Sequence, residues 1–325
     1  MTQTDHALYA TSQILGNVQT SRVLPSLFTP DAKVFKRFME FFTVHIENAH
    51  TRRAYYRTAQ AFSDWCAGHG IDDVARVEPM HVAAYITGLS LSNPSKKQHL
   101  AALRMLFDWL VVGHVINVNP AHAVRGPKHV VRKGRTPVLE REEARALLDS
   151  IDVSTLIGLR DRALIGTMIY TFARIGAVLA MSVGDYYSQG RRGWIRLHEK
   201  GGKEHQSPCV AKLEAYLDEY IAAAGIAIDK AGPLWRTTGR KTGTAHRLTQ
   251  PDAYLMIRRR AKVAGIETLI GNHTMRATGI TAYLKSDGTL EQAQQMANHS
   301  SPRTTKLYDR RGDEITLDEY EKIRI

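Results

Sequence analysis

The run HTRRAYYRTAQAFSDWC, residues 50–66, sets Tyr55, Ala59, Phe62 and the Trp65–Cys66 pair three or four positions apart. Residues at that spacing share one face of an α-helix, so the run is a helix with an apolar side to bury. His50 or Thr51 marks its start. Downstream, Glu78-Pro79 opens a second helix, since proline is favoured in a first turn, and Val82, Tyr85, Ile86 and Leu89 give it an apolar stripe. A third, SKKQHLAALRMLFDWLVV at 95–112, repeats Leu100, Leu103, Phe107 and Leu110. Residues 29–125 therefore form a compact domain of three or four helices joined by short turns. Residues 1–28 are polar and mixed, with no sustained apolar period, and are expected to be a flexible N-terminal arm or an accessory strand.

The chain then changes character. Between Asp108 and Glu140 there is no acidic residue, while Arg125, Lys128, Arg132, Lys133 and Arg135 crowd together among Gly and Pro. Residues 126–137 are thus a basic linker. Helical patterns return in EREEARALLDSI (140–151) and GLRDRALIGTMIYTF (158–172), the latter apolar enough to be a buried core helix. In GWIRLHEKGGKEHQSPCV (193–210) the period becomes two, with Ile195 and Leu197 alternating with Trp194, Arg196 and His198, and Gly201-Gly202 supplies a turn. That predicts one β-hairpin in a mostly helical second domain, residues 138–325. Helices resume from Lys212 and from Pro251. The fold class is mainly α: a helical domain followed by a mixed, mostly α domain with a small β-hairpin or sheet.

Lys and Arg number 44 against 32 Asp and Glu, a net charge of +12, which points to a polyanionic partner. A membrane is the poorer candidate, because no apolar stretch approaches the roughly 20 residues of a spanning helix and residues 1–30 lack a signal-peptide pattern. The two cysteines, Cys66 and Cys209, are far apart, and none of the 14 histidines falls in an HxxxH or HExxH word. A disulfide framework and a zinc module are therefore disfavoured, and a reducing cytoplasm is the expected compartment.

HTMRATGITAYL (273–284) places His273 and Arg276 one helical turn apart. Taken alone such a pair is most often surface or capping residues, and the same holds for Arg174, Lys200 and Tyr308. Their order and spacing together are more specific. Arg174 in YTFARIGAVLAMSVGDY, Lys200 in EKGGKEHQSPC, His273 and Arg276, and His299 and Tyr308 in MANHSSPRTTKLYDRR resemble the motifs of the tyrosine recombinases, the phage integrase or Xer family. The resemblance runs from about residue 29 to 311. It implies a helical core-binding domain at 29–125 and a catalytic domain at 138–325 that clamp duplex DNA, with the basic linker completing the clamp.

That resemblance also implies the chemistry: Tyr308 attacks a phosphodiester and forms a 3′-phosphotyrosyl linkage, with a free 5′-hydroxyl. Arg174 and Arg276 suit stabilisation of charge on the non-bridging oxygens, being forked donors that stay protonated. His273 is the candidate to receive the tyrosine proton. Lys200 is the candidate acid for the leaving 5′-oxygen, with Lys203 competing for that role. His299 would hydrogen-bond the phosphate, as tryptophan can in relatives. The linkage stores the bond energy, so no cofactor, ATP or divalent metal is implied. Candidate DNA-binding residues are Thr51, Arg52, Arg53, Lys96, Lys97, His99, Lys128, Arg132, Lys133, Arg135 and Lys203.

Relatives usually have Gly-Leu before the first arginine and a carboxylate three residues after it. Here Phe172-Ala173 and Ala177 stand there, although Asp185 still matches, and Ala297-Asn298 replace the usual Leu-Gly before His299. After Tyr308, Thr316 and Glu319 form a capping-box pattern with Leu317, Tyr320 and Ile323 at helical spacing. The resemblance implies that this helix, about 314–325, docks on a neighbouring subunit of a tetramer assembled on DNA. The rival readings are a type IB topoisomerase and a DNA-binding protein on the same fold that does not cut. The DNA target, any accessory protein, and the choice among integration, excision, resolution and inversion are not encoded legibly.

Overall fold

The structure, a computed structural model, describes residues 24–129, 134–199, 202–238, 246–310 and 323. The chain divides into two compact units, Met1–Val130 and Val131–Ile325. In the first, α1 (Ala32–Glu40), α2 (Ala49–Ala67), α3 (Pro79–Gly88) and α4 (Asn93–Val112) surround an aromatic core of Phe38, Phe41, Phe42, Phe62 and Phe107. Helix α2 starts two residues earlier than Thr51, because Asn48 is its cap: the Asn48 side-chain oxygen accepts from the His50 and Thr51 amides at 3.0 and 3.1 Å.

The arm boundary at residue 28 is also corrected. Leu27 and Phe28 are buried, and the Phe28 ring stacks on Phe38 at 4.7 Å. Two adjacent apolar residues are too short a signal for any periodicity, so only packing reveals them as core.

The second unit contains α5 (Arg141–Asp149), α6 (Leu156–Tyr170), α7 (Ile175–Ala180), a sheet, α8 (Ala211–Ala224), α9 (Gln250–Val263), α10 (Asn272–Lys285), α11 (Leu290–Met296) and α12 (Pro302–Lys306). Its sheet has three strands where the sequence pattern predicts two. Strand β2 (Arg192–Glu199) pairs antiparallel with both β1 (Tyr186–Gln189) and β3 (Lys203–Pro208). Ile195 and Leu197 point into the core as their alternation requires. The four residues of β1, Tyr-Tyr-Ser-Gln, carry no alternation to read.

Helix α6 is the spine of this unit and is buried along most of its length. It carries Asp161, fully buried, which accepts from Arg160 at 2.6 Å and from Arg260 of α9 at 2.7 Å. Helix α10 crosses α6 at Gly279. A Cβ there would lie 2.8 Å from Phe172 Cδ1 and closer still to the Ile169 carbonyl oxygen, so only glycine permits this approach. The crossing brings Arg276, one turn earlier on α10, to the end of α6.

Candidate active site

Arg276 is almost wholly buried, and its guanidinium is held by two backbone carbonyls. One nitrogen donates to the carbonyl of Phe172, just past the end of α6, and the other to that of Ala297, just past α11, at 2.5 Å. Both carbonyls sit beside left-handed backbone. Phe172 has φ +54° and Asn298 φ +47°. At the second site the His299 amide donates to Gln294 and the Asn298 amide to Gln295, both at 3.0 Å, which closes α11 with a Schellman motif. Asparagine tolerates this conformation, whereas phenylalanine does so at a cost of about 1–2 kcal/mol. The two departures from the family pattern before Arg174 and His299 thus fall where glycine would be easiest. Burial, and then the neighbouring Arg174, lower the Arg276 pKa to about 10, while a hydrogen bond to the Tyr308 side chain works in the other direction. Arg276 therefore remains a cation at neutral pH.

Arg174 caps α7 and is half-exposed. Its Nη1 donates to the carboxylate of Glu199, the last residue of β2, whose side chain is nearly buried. His299 is 7% exposed, and its Nδ1 lies 2.9 Å from the Thr305 hydroxyl, itself buried on α12. Burial, followed by the charges of Arg276 and Arg174, brings the His299 pKa down to about 4. It is a neutral ring at physiological pH. Tyr308 follows α12, half-buried, with its ring parallel to that of His299 and its carbonyl accepting from the Thr281 hydroxyl at 2.9 Å. Arg310 ties the following residues to the Gly134 carbonyl at 2.6 Å.

Arg174, Arg276, His299 and Tyr308 are therefore one cluster, drawn from three separate stretches of chain. His273 stands at the exposed first turn of α10, and its side chain makes no hydrogen bond among the described residues. Lys200 and the helix expected at about 314–325 lie outside the described residues, Ile323 apart, which is exposed. Glu199, Thr305 and Thr281 were not singled out by sequence. Threonines carry no motif signal, and the place of Glu199 beside Lys200 in the chain does not mark it as a partner of Arg174.

The candidate DNA-binding residues are unequally free. Lys97, Lys128, Arg135 and Lys203 are exposed, and Thr51 is half-buried. Arg53 leans on His50 at 3.3 Å, and Lys96 donates to the Thr87 carbonyl at 3.0 Å. Arg52 is committed to the protein itself, donating to the Ile46 carbonyl at 2.8 and 3.0 Å. His99 is likewise engaged with the Tyr85 hydroxyl at 2.9 Å, and burial lowers its pKa. Arg132 and Lys133 lie outside the described residues.

Burial pushes both cysteine thiols up to about 12, so neither is a ready thiolate. Among the described residues no cluster of His, Cys, Asp or Glu is arranged to hold a metal, and no helix is long and apolar enough to cross a membrane.

The chain as a whole is similar to known proteins. The N-terminal SAM-like domain of phage integrases matches residues 35–113, and the phage integrase family itself matches residues 137–314. Similar curated proteins include a tyrosine recombinase XerD of Corynebacterium glutamicum, 25% identical over 80% of this chain and 87% of its own length. A tyrosine recombinase XerC of Xanthomonas campestris pv. campestris is 28% identical over 86% of this chain and 85% of its own. Among solved structures, XerH recombinase bound to its difH substrate covers 98% of this chain and 95% of its own, at 19% identity and TM-score 0.67. A lambda integrase dimer bound to a core site covers 96% and 87%, at 17% identity and TM-score 0.63, so both share the fold. With the family pattern spanning more than half its length, the chain belongs to the phage integrase family of tyrosine recombinases, enzymes that break and rejoin DNA.

Proposed function

We propose that this chain is a site-specific DNA recombinase in which Tyr308 is the nucleophile. The observation that carries the reading is the convergence of two guanidiniums, Arg174 and Arg276, on the site where Tyr308 stands against His299. Two fixed cations beside a phenol oxygen suit a phosphodiester, whose non-bridging oxygens gain charge as the phosphorus becomes five-coordinate. The Tyr308 oxygen bonds to phosphorus and the bond to the 5′-oxygen breaks. The phenol proton passes to His273, and Lys200 supplies a proton to the departing 5′-hydroxyl. Neutral His299 hydrogen-bonds a phosphate oxygen as a donor through Nε2, the tautomer favoured if Nδ1 accepts from Thr305. Reversal by another strand's 5′-hydroxyl completes an exchange with no external energy source, because the phosphotyrosyl linkage retains the bond energy.

The net charge of +12 fits a duplex DNA partner, since neutralising phosphates releases counterions. Lys97, Lys128, Arg135 and Lys203 are the exposed candidates to make such contacts. Exchange needs more than one protomer, and solved relatives include a lambda integrase tetramer on a Holliday junction. We extend that assembly to this chain, with residues 314–325 docking in trans, and with integration, excision or resolution of a mobile element or replicon as the biological outcome.

The test is a nicked duplex carrying a site selected by the protein from fragments of its own replicon, incubated with EDTA and resolved on a denaturing gel. A covalent protein–DNA band that disappears in Tyr308→Phe is the expected result. Binding of the same duplex without such a band would move the non-cutting DNA-binder ahead.

A further inference from the structure

The ion pair between Arg174 and Glu199 joins two elements that otherwise bring different parts of the site. Arg174 caps α7, and Glu199 ends β2, immediately before Lys200 in the chain. The Glu199 side chain is 6% exposed and that of Arg174 41%. The carboxylate is therefore fixed inside the protein while the guanidinium keeps an open edge. Only Nη1 of Arg174 is taken, leaving Nε and Nη2 unengaged among the described residues. A guanidinium held by one nitrogen presents the remaining donors in a fixed plane, which is the geometry a phosphate fork needs.

A carboxylate at this place also carries a cost. It repels the phosphodiester that Arg174 and Arg276 would receive, so it weakens DNA binding at that point unless orientation is worth more. It further offsets the repulsion between the two neighbouring guanidiniums. We infer that Glu199 is a positioning residue for the cleavage step: it holds the Arg174 guanidinium in register from the end of β2. This rests on the recombinase reading above, and it predicts a split between binding and rate.

The experiment measures single-turnover formation of the covalent complex on the selected nicked duplex at saturating protein, together with DNA affinity by gel shift, for wild type, Glu199→Gln and Glu199→Asp. Glu199→Gln is expected to bind DNA at least as tightly as wild type and to cleave about 10–100-fold more slowly, the usual loss when an orienting partner is removed. Glu199→Asp, which keeps the charge on a shorter stem, is expected to fall between the two and so to show that the carboxylate matters beyond folding. A Gln variant as fast as wild type, or faster, overturns the inference, as does one that loses rate and affinity together. So does an Asp variant no better than Gln. Failure of the recombinase reading is a different result, namely no Tyr308-dependent band from wild type itself.

Discussion

The imidazole of His299 and the phenol of Tyr308 lie face to face, with ring centroids 5.7 Å apart and planes within 9° of parallel. The nine-residue separation in sequence is spanned by α12, and Thr305 on that helix secures the imidazole while Thr281 on α10 secures the tyrosine backbone. The phenol is thus placed from both sides.

A first prediction concerns pH. The folded His299 has its pKa lowered from 6.5 to about 4, so between those values the unfolded chain takes up a proton that the folded chain refuses. Stability contributed by the neutral ring is complete above pH 6.5 and is lost as pH falls towards 4. Thermal melts from pH 7 to 4 are expected to show a steeper decline for wild type than for His299→Gln. Equal slopes would refute the assignment.

A second uses the two left-handed residues. Asn298→Gly is expected to change stability by less than about 1 kcal/mol, in the stabilising direction, because asparagine already tolerates the conformation. Phe172→Gly relieves about 1–2 kcal/mol of backbone strain but removes a buried phenyl whose loss costs about 3–5 kcal/mol. The second effect wins, so the variant is destabilised. Urea titration of both variants decides the order.

A third addresses the helix crossing. Gly279→Ala drives a Cβ into the Ile169 carbonyl and the Phe172 ring, so α10 must move off α6. Arg276 moves with it. Both melting temperature and the rate of covalent-complex formation are expected to drop. Retention of wild-type rate would mean that Arg276 placement does not depend on this contact.

A fourth tests the buried charge cluster. Asp161→Asn leaves Arg160 and Arg260 without their carboxylate, and breaking a buried pair in this way costs about 3–5 kcal/mol. The expected signature is a lower urea midpoint with an unchanged slope.

The helical frame was legible because long amphipathic runs such as 50–66 and 95–112 repeat their apolar residues over several turns. Ile195 and Leu197 announced β2 for the same reason. Leu27, Phe28 and β1 were hidden because each is shorter than the period needed to recognise it. The cluster was visible through the order of its reactive side chains, Arg174 to Tyr308. Its supports were not. The carboxylate of Glu199 meets Arg174 only because a strand end faces a helix start, and no spacing along the chain encodes that approach.

The two contacts that fix Arg276 are made by main-chain oxygens, and this governs how the protein tolerates genetic drift. A carbonyl is supplied by every amino acid, so these two hydrogen bonds place no demand on the side chains at 172 and 297, and what those positions and 298 require is set by the backbone turn and by the space around each residue. Mutational scans of these positions should therefore sort substitutions by tolerance of left-handed backbone and by size, with little regard to polarity. Neutral change can accumulate at the rim of the site while the guanidinium at its centre stays where it was.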